Sequence, residues 1–411
     1  MANTYDTYKD SGVAWIGEIP SGWEVVRIKN IYSERTELSE NGTERLLSVS
    51  EYYGIAPTSE KIDVGEFITR ADSLVGYKKC YINDFVSNIM LAWKGSFGTT
   101  KFDGIVSPAY CIYKPVDTIS PSYYHYLFRT DLYKSRFKSY SKGIIDSRLR
   151  LYSPFFYLVD AILPPKLEQQ SIATFLDQKC NEIDSLIALQ DEMIGELQAY
   201  KQSVITEVVT KGLDPNAKMK DSGVEWIGEI PEGWSTKRLK FLCRITTGDK
   251  DTQDSEKEGV YKFYVRSPII EHSNSWTFEG EGILMAGDGA GAGRVFHHAF
   301  GKYAVHQRVY RMANFKEVNT YFLFYYLSSL FCKIMDMGSA QSTVPSVRMP
   351  MLTNFVVCMP AFNEQQLIVD YLKNRTSQID SLISLKQQKI AELKDYKKSI
   401  IYEYVTGKKK V

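Results

Sequence analysis

Cysteine is sparse and unorganised in this sequence. The six residues, Cys80, Cys111, Cys180, Cys243, Cys332 and Cys358, stand far apart without CxxC spacing. That leaves no disulfide framework and points to a reduced, cytoplasmic setting. Long apolar runs are missing: the best membrane candidate, residues 321–335, falls short of the roughly 20 residues that a bilayer requires. No basic, apolar, small-residue leader opens the sequence. Excess charge of either sign is absent too. With 50 basic and 49 acidic residues the net charge is +1, so a nucleic-acid partner would have to be met by positive charge gathered on one face. The 44% hydrophobic share excludes a disordered chain, and 411 residues are too many for one ordinary core, so two or three domains are expected.

Signatures of catalysis are also wanting. There is no GxxxxGK[ST] loop for ATP. An adenine methyltransferase would need a glycine-rich loop for S-adenosylmethionine and an Asn-Pro-Pro-aromatic string for the flipped base, and the nearest string, Ser153-Pro154-Phe155-Phe156, fails. The run Gly287-Asp288-Gly289-Ala290-Gly291-Ala292-Gly293 does not match G-x-G-x-x-G and lacks a surrounding βαβ unit, so it reads as a loop between two strands. His297, His298 and His306 lack the ligand-pair spacing of a metal site, and none is expected.

What the sequence does have is internal repetition. Residues 9–23, KDSGVAWIGEIPSGW, match residues 220–234, KDSGVEWIGEIPEGW, at 13 of 15 positions. A second repeat aligns residues 168–210 with 364–406 without gaps at 21 identities in 43, including EQQ, IDSLI and YK. A period near 200 residues argues for two whole domains with connecting elements and against a solenoid.

The second repeat reads as helix. Apolar positions run Ile183, Leu186, Ile187, Ile194, Leu197, Val204 and Val208 in one copy and Ile379, Leu382, Ile383, Ile390, Leu393, Ile400 and Tyr404 in the other. No proline interrupts residues 166–213 or 361–411, so each helix could exceed 40 residues. Such a stripe fits either a helix packed on its own domain or two helices paired as a coiled coil, and the matching seams favour the pair. Gln190 with Lys386, and Lys201 with Lys397, interrupt the seam and would fix register.

Between the repeats lie two unlike segments, about 24–163 and 235–359, rich in Tyr and Phe. Each holds short β-like runs and one aromatic helix candidate, residues 121–140 or 320–335, and ends in a strand, 157–163 or 355–359, before a proline and the long helix. The expected fold is mixed α/β (α+β): two globular domains, two long antiparallel helices as a coiled-coil spacer, and a pseudo-twofold internal repeat. The expected segments are 1–163, the long helix 164–212, a linker and second domain over 213–360, and the second long helix 361–411.

Basic residues cluster locally with aromatics and amides. Between Arg129 and Arg150 there are seven (Arg129, Lys134, Arg136, Lys138, Lys142, Arg148, Arg150) against two acidic residues. The second domain offers Arg294, Lys302, His306, Arg308, Arg311 and Arg348 with a polar loop, Gly338-Ser339-Ala340-Gln341-Ser342. Arginine and glutamine suit bidentate contact with guanine and adenine edges. The charge clusters alone do not separate a DNA face from a solvated surface. A DNA-modifying enzyme would turn over with metal or S-adenosylmethionine, and a coiled-coil protein scaffold would show DNA binding absent or flat with salt.

The phrase KDSGVxWIGEIPxGW followed by basic-apolar alternation (Arg27, Lys29; Lys237, Arg238, Lys240), and the ending of proline, EQQ and IDSLI, resemble the specificity subunits of Type I restriction-modification systems. The resemblance spans the whole chain. Also similar are Trp93-Lys94-Gly95-Ser96-Phe97-Gly98 with Gly104-Ile105-Val106-Ser107-Pro108-Ala109-Tyr110, and Gly338-Ser339-Ala340-Gln341 with Val347-Arg348. It implies two target recognition domains, each reading one half of a bipartite duplex DNA site, and helices that hold them at fixed separation and bind two methyltransferase subunits. Restriction subunits complete the complex. This chain would be non-catalytic and bind no cofactor, with S-adenosylmethionine, ATP and Mg in the partners. Lys94, Ser96, Lys101, Ser339, Gln341 and Ser342 join the basic residues as expected DNA contacts.

Overall fold

The computed structural model describes residues 4–58, 73–338 and 345–411, in two units. One unit combines Met1–Leu189 with Gln388–Val411, and the other is Gln190–Gln387.

The first repeat begins the first unit as a hairpin of β1 (Tyr8–Asp10) and β2 (Glu18–Pro20). Asp10 Oδ1 accepts from the Gly12 N–H at 2.9 Å, and Gly12 and Gly17 both adopt φ 73°, a left-handed conformation that favours glycine. There follow β3 (Glu24–Arg27), β4 (Tyr32–Arg35), β5 (Leu47–Ser50), β6 (Gly54–Pro57), β7 (Lys78–Cys80), β8 (Phe85–Asn88), β9 (Phe97–Thr99), β10 (Gly104–Val106) and β11 (Tyr110–Pro115). Helices α1 (Pro121–Phe128), α2 (Asp131–Tyr140) and α3 (Ser153–Phe156), strand β12 (Asp160–Leu163) and helix α4 (Lys166–Lys211) complete this run. The central sheet is antiparallel in the order β4-β11-β8-β9, and β3 pairs with β12. The aromatics close the core: Phe85 lies 5.4 Å from Phe97, 5.4 Å from Phe128 and 5.7 Å from Phe156, centroid to centroid.

The sequence predicts one helix over 121–140, and the chain makes two. Thr130 is the reason: its Oγ1 donates to the Leu127 carbonyl at the end of α1 (2.7 Å) and accepts from the Tyr133 N–H in the first turn of α2 (3.4 Å).

The second unit repeats the plan. A hairpin of β13 (Met219–Asp221) and β14 (Glu229–Pro231) again has left-handed glycines, Gly223 at φ 72° and Gly228 at φ 75°. Then come β15 (Ser235–Arg238), α5 (Leu239–Leu242), β16 (Arg244–Thr247), β17 (Tyr261–Tyr264), β18 (Glu271–Ser273), β19 (Phe278–Glu279), β20 (Gly282–Ala286), β21 (Phe296–Ala299), β22 (Lys302–Val305) and β23 (Val309–Ala313). The unit ends with α6 (Thr320–Gly338), α7 (Met349–Thr353), β24 (Val356–Met359) and α8 (Phe362–Val405), whose last turns belong to the first unit. The order β16-β23-β20-β21 and the pair β15-β24 reproduce β4-β11-β8-β9 and β3-β12. The sheet β18-β17-β22-β19 is matched in the first unit by the antiparallel pairs β6-β5 and β10-β7, which a parallel bridge between Leu46 and Ile105 joins as β17 runs parallel to β22. Thus two segments without shared sequence are built on one scaffold.

The two repeats meet inside each unit. Trp23 Nε1 donates to Glu168 Oε2 (2.9 Å), and Trp234 Nε1 to Glu364 Oε1 (3.1 Å). Beside each glutamate a fully buried glutamine accepts one N–H and donates to one proline carbonyl. Gln169 takes Ser120 N at 2.7 Å and gives to Pro164 O at 2.7 Å, while Gln365 takes Asn319 N at 2.7 Å and gives to Pro360 O at 3.0 Å.

Helices α4 (46 residues) and α8 (44 residues) pair antiparallel. In the first unit Asp184 meets Lys397 (2.6 Å), and in the second Lys201 meets Asp380 (2.7 Å) and Lys386 Nζ donates to Gln190 Oε1 (3.3 Å). Ile183, Val204, Ile379, Ile390 and Ile400 are buried in the seam, with Ile187, Ile194, Leu197, Ile383 and Leu393 half-buried. These positions advance by alternating threes and fours once the polar ones are counted, a heptad repeat. Leu186 and Leu382, read into the stripe from spacing, fall off that repeat and are 48% exposed. The lysines interrupt the seam as expected, and each reaches a specific partner rather than another lysine.

Candidate nucleic-acid interface

In the first unit, α2 turns Tyr133 and Phe137 into the core, which leaves its basic positions on other faces. Lys138 is exposed, bonds Asp146 at 2.8 Å and lies 4.8 Å from the Trp93 ring centroid; exposed Lys94 lies 5.3 Å from the same ring. The following loop is pinned where Lys142 and Arg150 exchange backbone hydrogen bonds of 2.9 Å. Lys142 reaches over Phe155 at 4.6 Å, and Arg148 is exposed. Lys94, Lys138, Lys142 and Arg148 therefore gather around Trp93 and this loop. Lys101 is exposed on the β9–β10 connection, and Arg150 is half-buried with Nη1 on the Ser147 and Leu149 carbonyls.

Other expected contacts point inward. Ser96 is 1% exposed and donates to the Val49 carbonyl at 3.0 Å. Arg129 gives its guanidinium to four backbone carbonyls, those of Gly95, Phe97, Glu51 and Tyr52, at 2.8 to 3.0 Å. It is a clasp between loops. Burial and, next, the nearby Arg129 and Lys101 charges push the His125 imidazole down to about 3, so it is neutral and its Nδ1 accepts the Thr99 N–H. Arg136 sits against Trp15 (5.4 Å) and Tyr140 (4.7 Å), and half-buried Lys134 pairs with Asp131 at 2.6 Å. A basic residue in sequence is thus not always a basic surface in the fold.

In the second unit the glycine-rich run connects β20 to its antiparallel neighbour β21, the loop between strands that its sequence suggested. Asp288, within that loop, accepts from Arg266 Nη1 at 2.9 Å and Arg308 Nη1 at 2.7 Å. Burial alone would raise its carboxyl, but the two guanidiniums outweigh this and hold it below the usual carboxylate range. Arg294, at the end of the loop, and Arg348, before α7, are exposed. Ser339, Gln341 and Ser342 lie outside the described residues.

Three basic residues grouped with these by sequence turn to other partners. His306 is 3% exposed and accepts the Arg308 N–H at 3.0 Å, and burial, then Arg266, lowers its pKa. Arg311 bonds the Tyr303 hydroxyl at 2.9 Å, and Lys302 lies over Trp276 at 4.8 Å. His297 and His298 have separate partners, the Ser267 carbonyl and Glu281. Among the described residues no group of three or more His, Cys, Asp or Glu side chains could hold a metal. Arg266 and Asp288 do not stand out in the sequence, because only the fold brings residues 266, 288 and 308 together.

Residues 20–192 and 231–395 each match the Type I restriction modification DNA specificity domain. The chain belongs to this family. The specificity subunit of the Type I restriction enzyme EcoDI from Escherichia coli is 28% identical over 180 residues, 44% of this chain and 39% of that protein. The putative MjaX specificity subunit of Methanocaldococcus jannaschii is 26% identical over an alignment covering 96% of both chains. The fold is shared with a chain from a structure of a type I R-M system (TM-score 0.71, 17% identity, 94% of this chain and 98% of that one). It is also shared with the HsdS subunit from Thermoanaerobacter tengcongensis (TM-score 0.52, 18% identity, 95% and 98%). The chain is a DNA sequence-recognition component of the Type I restriction-modification kind, non-catalytic in itself.

Proposed function

We propose that each unit reads one half of a bipartite, asymmetric duplex DNA target, and that α4 and α8 set the distance between the halves. The observation that carries this is the common sheet order, β4-β11-β8-β9 and β16-β23-β20-β21, under surfaces of unrelated sequence. One scaffold with two different faces suits two different half-sites. In this reading residues 1–163 and 213–360 are the recognition segments, and 164–212 and 361–411 are spacer helices. The spacer helices hold two methyltransferase subunits, which supply S-adenosylmethionine chemistry. Restriction subunits supply the chemistry that uses ATP and Mg, and the assembly works in the cytoplasm. No helix among the described residues is long and apolar enough to cross a membrane. Mapping methylated adenines in a genome that expresses this chain with its neighbouring subunits tests the proposal. One motif with two unlike halves and a constant gap is expected; a palindromic or continuous motif would refute it.

Charge on the first unit gives a second test. Lys94, Lys138 and Lys142 are exposed and grouped, so replacing all three with alanine should weaken binding about equally for all sequences. The slope of log K against log salt should flatten by about 0.9 for each phosphate left without its lysine, so by up to about 3. An unchanged slope in a salt titration would assign these lysines to solvent. Arg136→Ala, which removes a side chain lodged against Trp15 and Tyr140, should instead lower the melting temperature.

A further inference from the structure

We propose that Arg266 and Arg308, held apart by Asp288, are a guanine-reading clamp in the second unit, with Asp288 as its positioning residue; this rests on the two-reader function above. The glycine-rich loop makes the clamp possible. A Cβ on Gly287 would lie 2.8 Å from the Arg308 carbonyl oxygen, and one on Gly291 2.7 Å from the Arg266 carbonyl oxygen. Only glycine lets the loop pass so close to both strand ends. The passage brings one carboxylate to both guanidiniums, one oxygen for each.

The loop is also fixed from behind. Gly287 N donates to Arg308 O (2.9 Å), Val347 N to Gly287 O (2.8 Å) and Gly289 N to Pro345 O (3.0 Å). Asp288 bridges to Ser346, so two separate segments, at Arg308 and over residues 345–347, fix its backbone. Its side chain is 15% exposed, whereas Arg266 is 43% exposed and Arg308 62%. The anchor is sheltered and the donors face outward. Each guanidinium spends one N–H on Asp288 among the described residues, out of the five it carries.

The arrangement suits a base better than a phosphate. A phosphate contact gains from unopposed positive charge, and a carboxylate between two arginines repels the backbone. Guanine presents two acceptors, O6 and N7, that need a guanidinium in one orientation, and a side chain already fixed loses less entropy on binding. A buttressing carboxylate gives up general affinity for discrimination.

The test uses the full chain assembled with its methyltransferase subunits, with methylation mapping and binding to duplexes varied one base pair at a time. Arg308→Lys and Arg266→Lys should each lower discrimination about tenfold or more at a G·C pair of one half-site, the same half-site for both, and leave the other unaltered. Asp288→Asn, which keeps the shape and removes the charge, should relax those same positions while affinity for unrelated DNA stays level or rises. A loop brace alone would instead lower affinity for all sequences in proportion. If Asp288→Asn fails to assemble, the two Arg→Lys variants, on exposed side chains, still decide the matter. The clamp is refuted if the relaxed positions are not G·C, fall in both half-sites, or do not change at all. Failure of the wild-type complex to methylate any bipartite motif would instead refute the two-reader function.

Discussion

Adding four residues to both long helices, after Gly195 in α4 and after Lys386 in α8, should move the two half-sites apart by up to about two base pairs without changing either half-site. Four residues lengthen a helix by about 6 Å and nearly complete one turn of 3.6, so the seam keeps its phase, and base pairs rise about 3.4 Å. Gly195 suits the insertion because it is exposed and a Cβ there would meet nothing within 4 Å. The apolar stripe alone points to a single insertion near Gly195 as sufficient. The ion pairs say otherwise: as many positions separate Asp184 from Lys201 as separate Asp380 from Lys397. Lengthening α4 alone sets it against an unchanged α8, so one ion pair must break, and methylation should fall sharply. Mapping the doubly lengthened variant reads the spacer directly; an active enzyme with an unchanged gap would show that the helices do not set the distance.

Gln169→Leu should cost the first unit about 2 to 6 kcal/mol, and Gln365→Leu the same in the second. Gln169→Leu strands a buried N–H at Ser120 and a buried carbonyl at Pro164, and Gln365→Leu a half-buried N–H at Asn319 and a buried carbonyl at Pro360. Each stranded group costs about 1 to 3 kcal/mol. Against a typical stability of about 5 to 15 kcal/mol, that is a large share, enough to lower the unfolding midpoint strongly. The adjacent Gln170 is exposed, so Gln170→Leu should change stability by about 0.5 kcal/mol or less. Urea unfolding with hydrogen exchange at the Ser120 N–H distinguishes the two. Equal effects from Gln169→Leu and Gln170→Leu would mean that the buried pair of hydrogen bonds is dispensable.

These glutamines show why some of the molecule was legible in its sequence. EQQ and KDSGVxWIGEIPxGW recur because they touch each other, Trp23 to Glu168 and Trp234 to Glu364, and duplicated contacts leave duplicated letters. The helices were legible because a heptad seam writes itself at fixed spacing. The central sheets were not, since their strands run three to six residues and carry no period long enough to read. Basic residues misled where the fold turned them inward: nothing in the letters around Arg129 says that four carbonyls wait for it. The break at Thr130 depends on one hydroxyl that serves two helices. Arg266 was invisible for another reason, because its partner Asp288 and the second cation Arg308 join it only through sheet topology.

The division of the chain has a bearing on its manufacture. Gln190–Gln387 is one uninterrupted run, but the first unit requires Gln388–Val411. The tail is not ornamental: Val405 is fully buried and its carbonyl accepts from the Tyr123 hydroxyl at 2.7 Å, Ile400 lies in the same core, and Lys408 reaches the Glu18 carbonyl at 2.9 Å. A ribosome adds about 5 to 20 residues per second, and domains generally fold as they emerge. The half made first must therefore wait roughly 10 to 40 seconds for its final wall, with Tyr123 and its aromatic neighbours short of a lid, while the half made later can close ahead of it. Birth order and folding order are reversed, and a nascent chain stalled before residue 400 would carry a finished second reader beside an unfinished first.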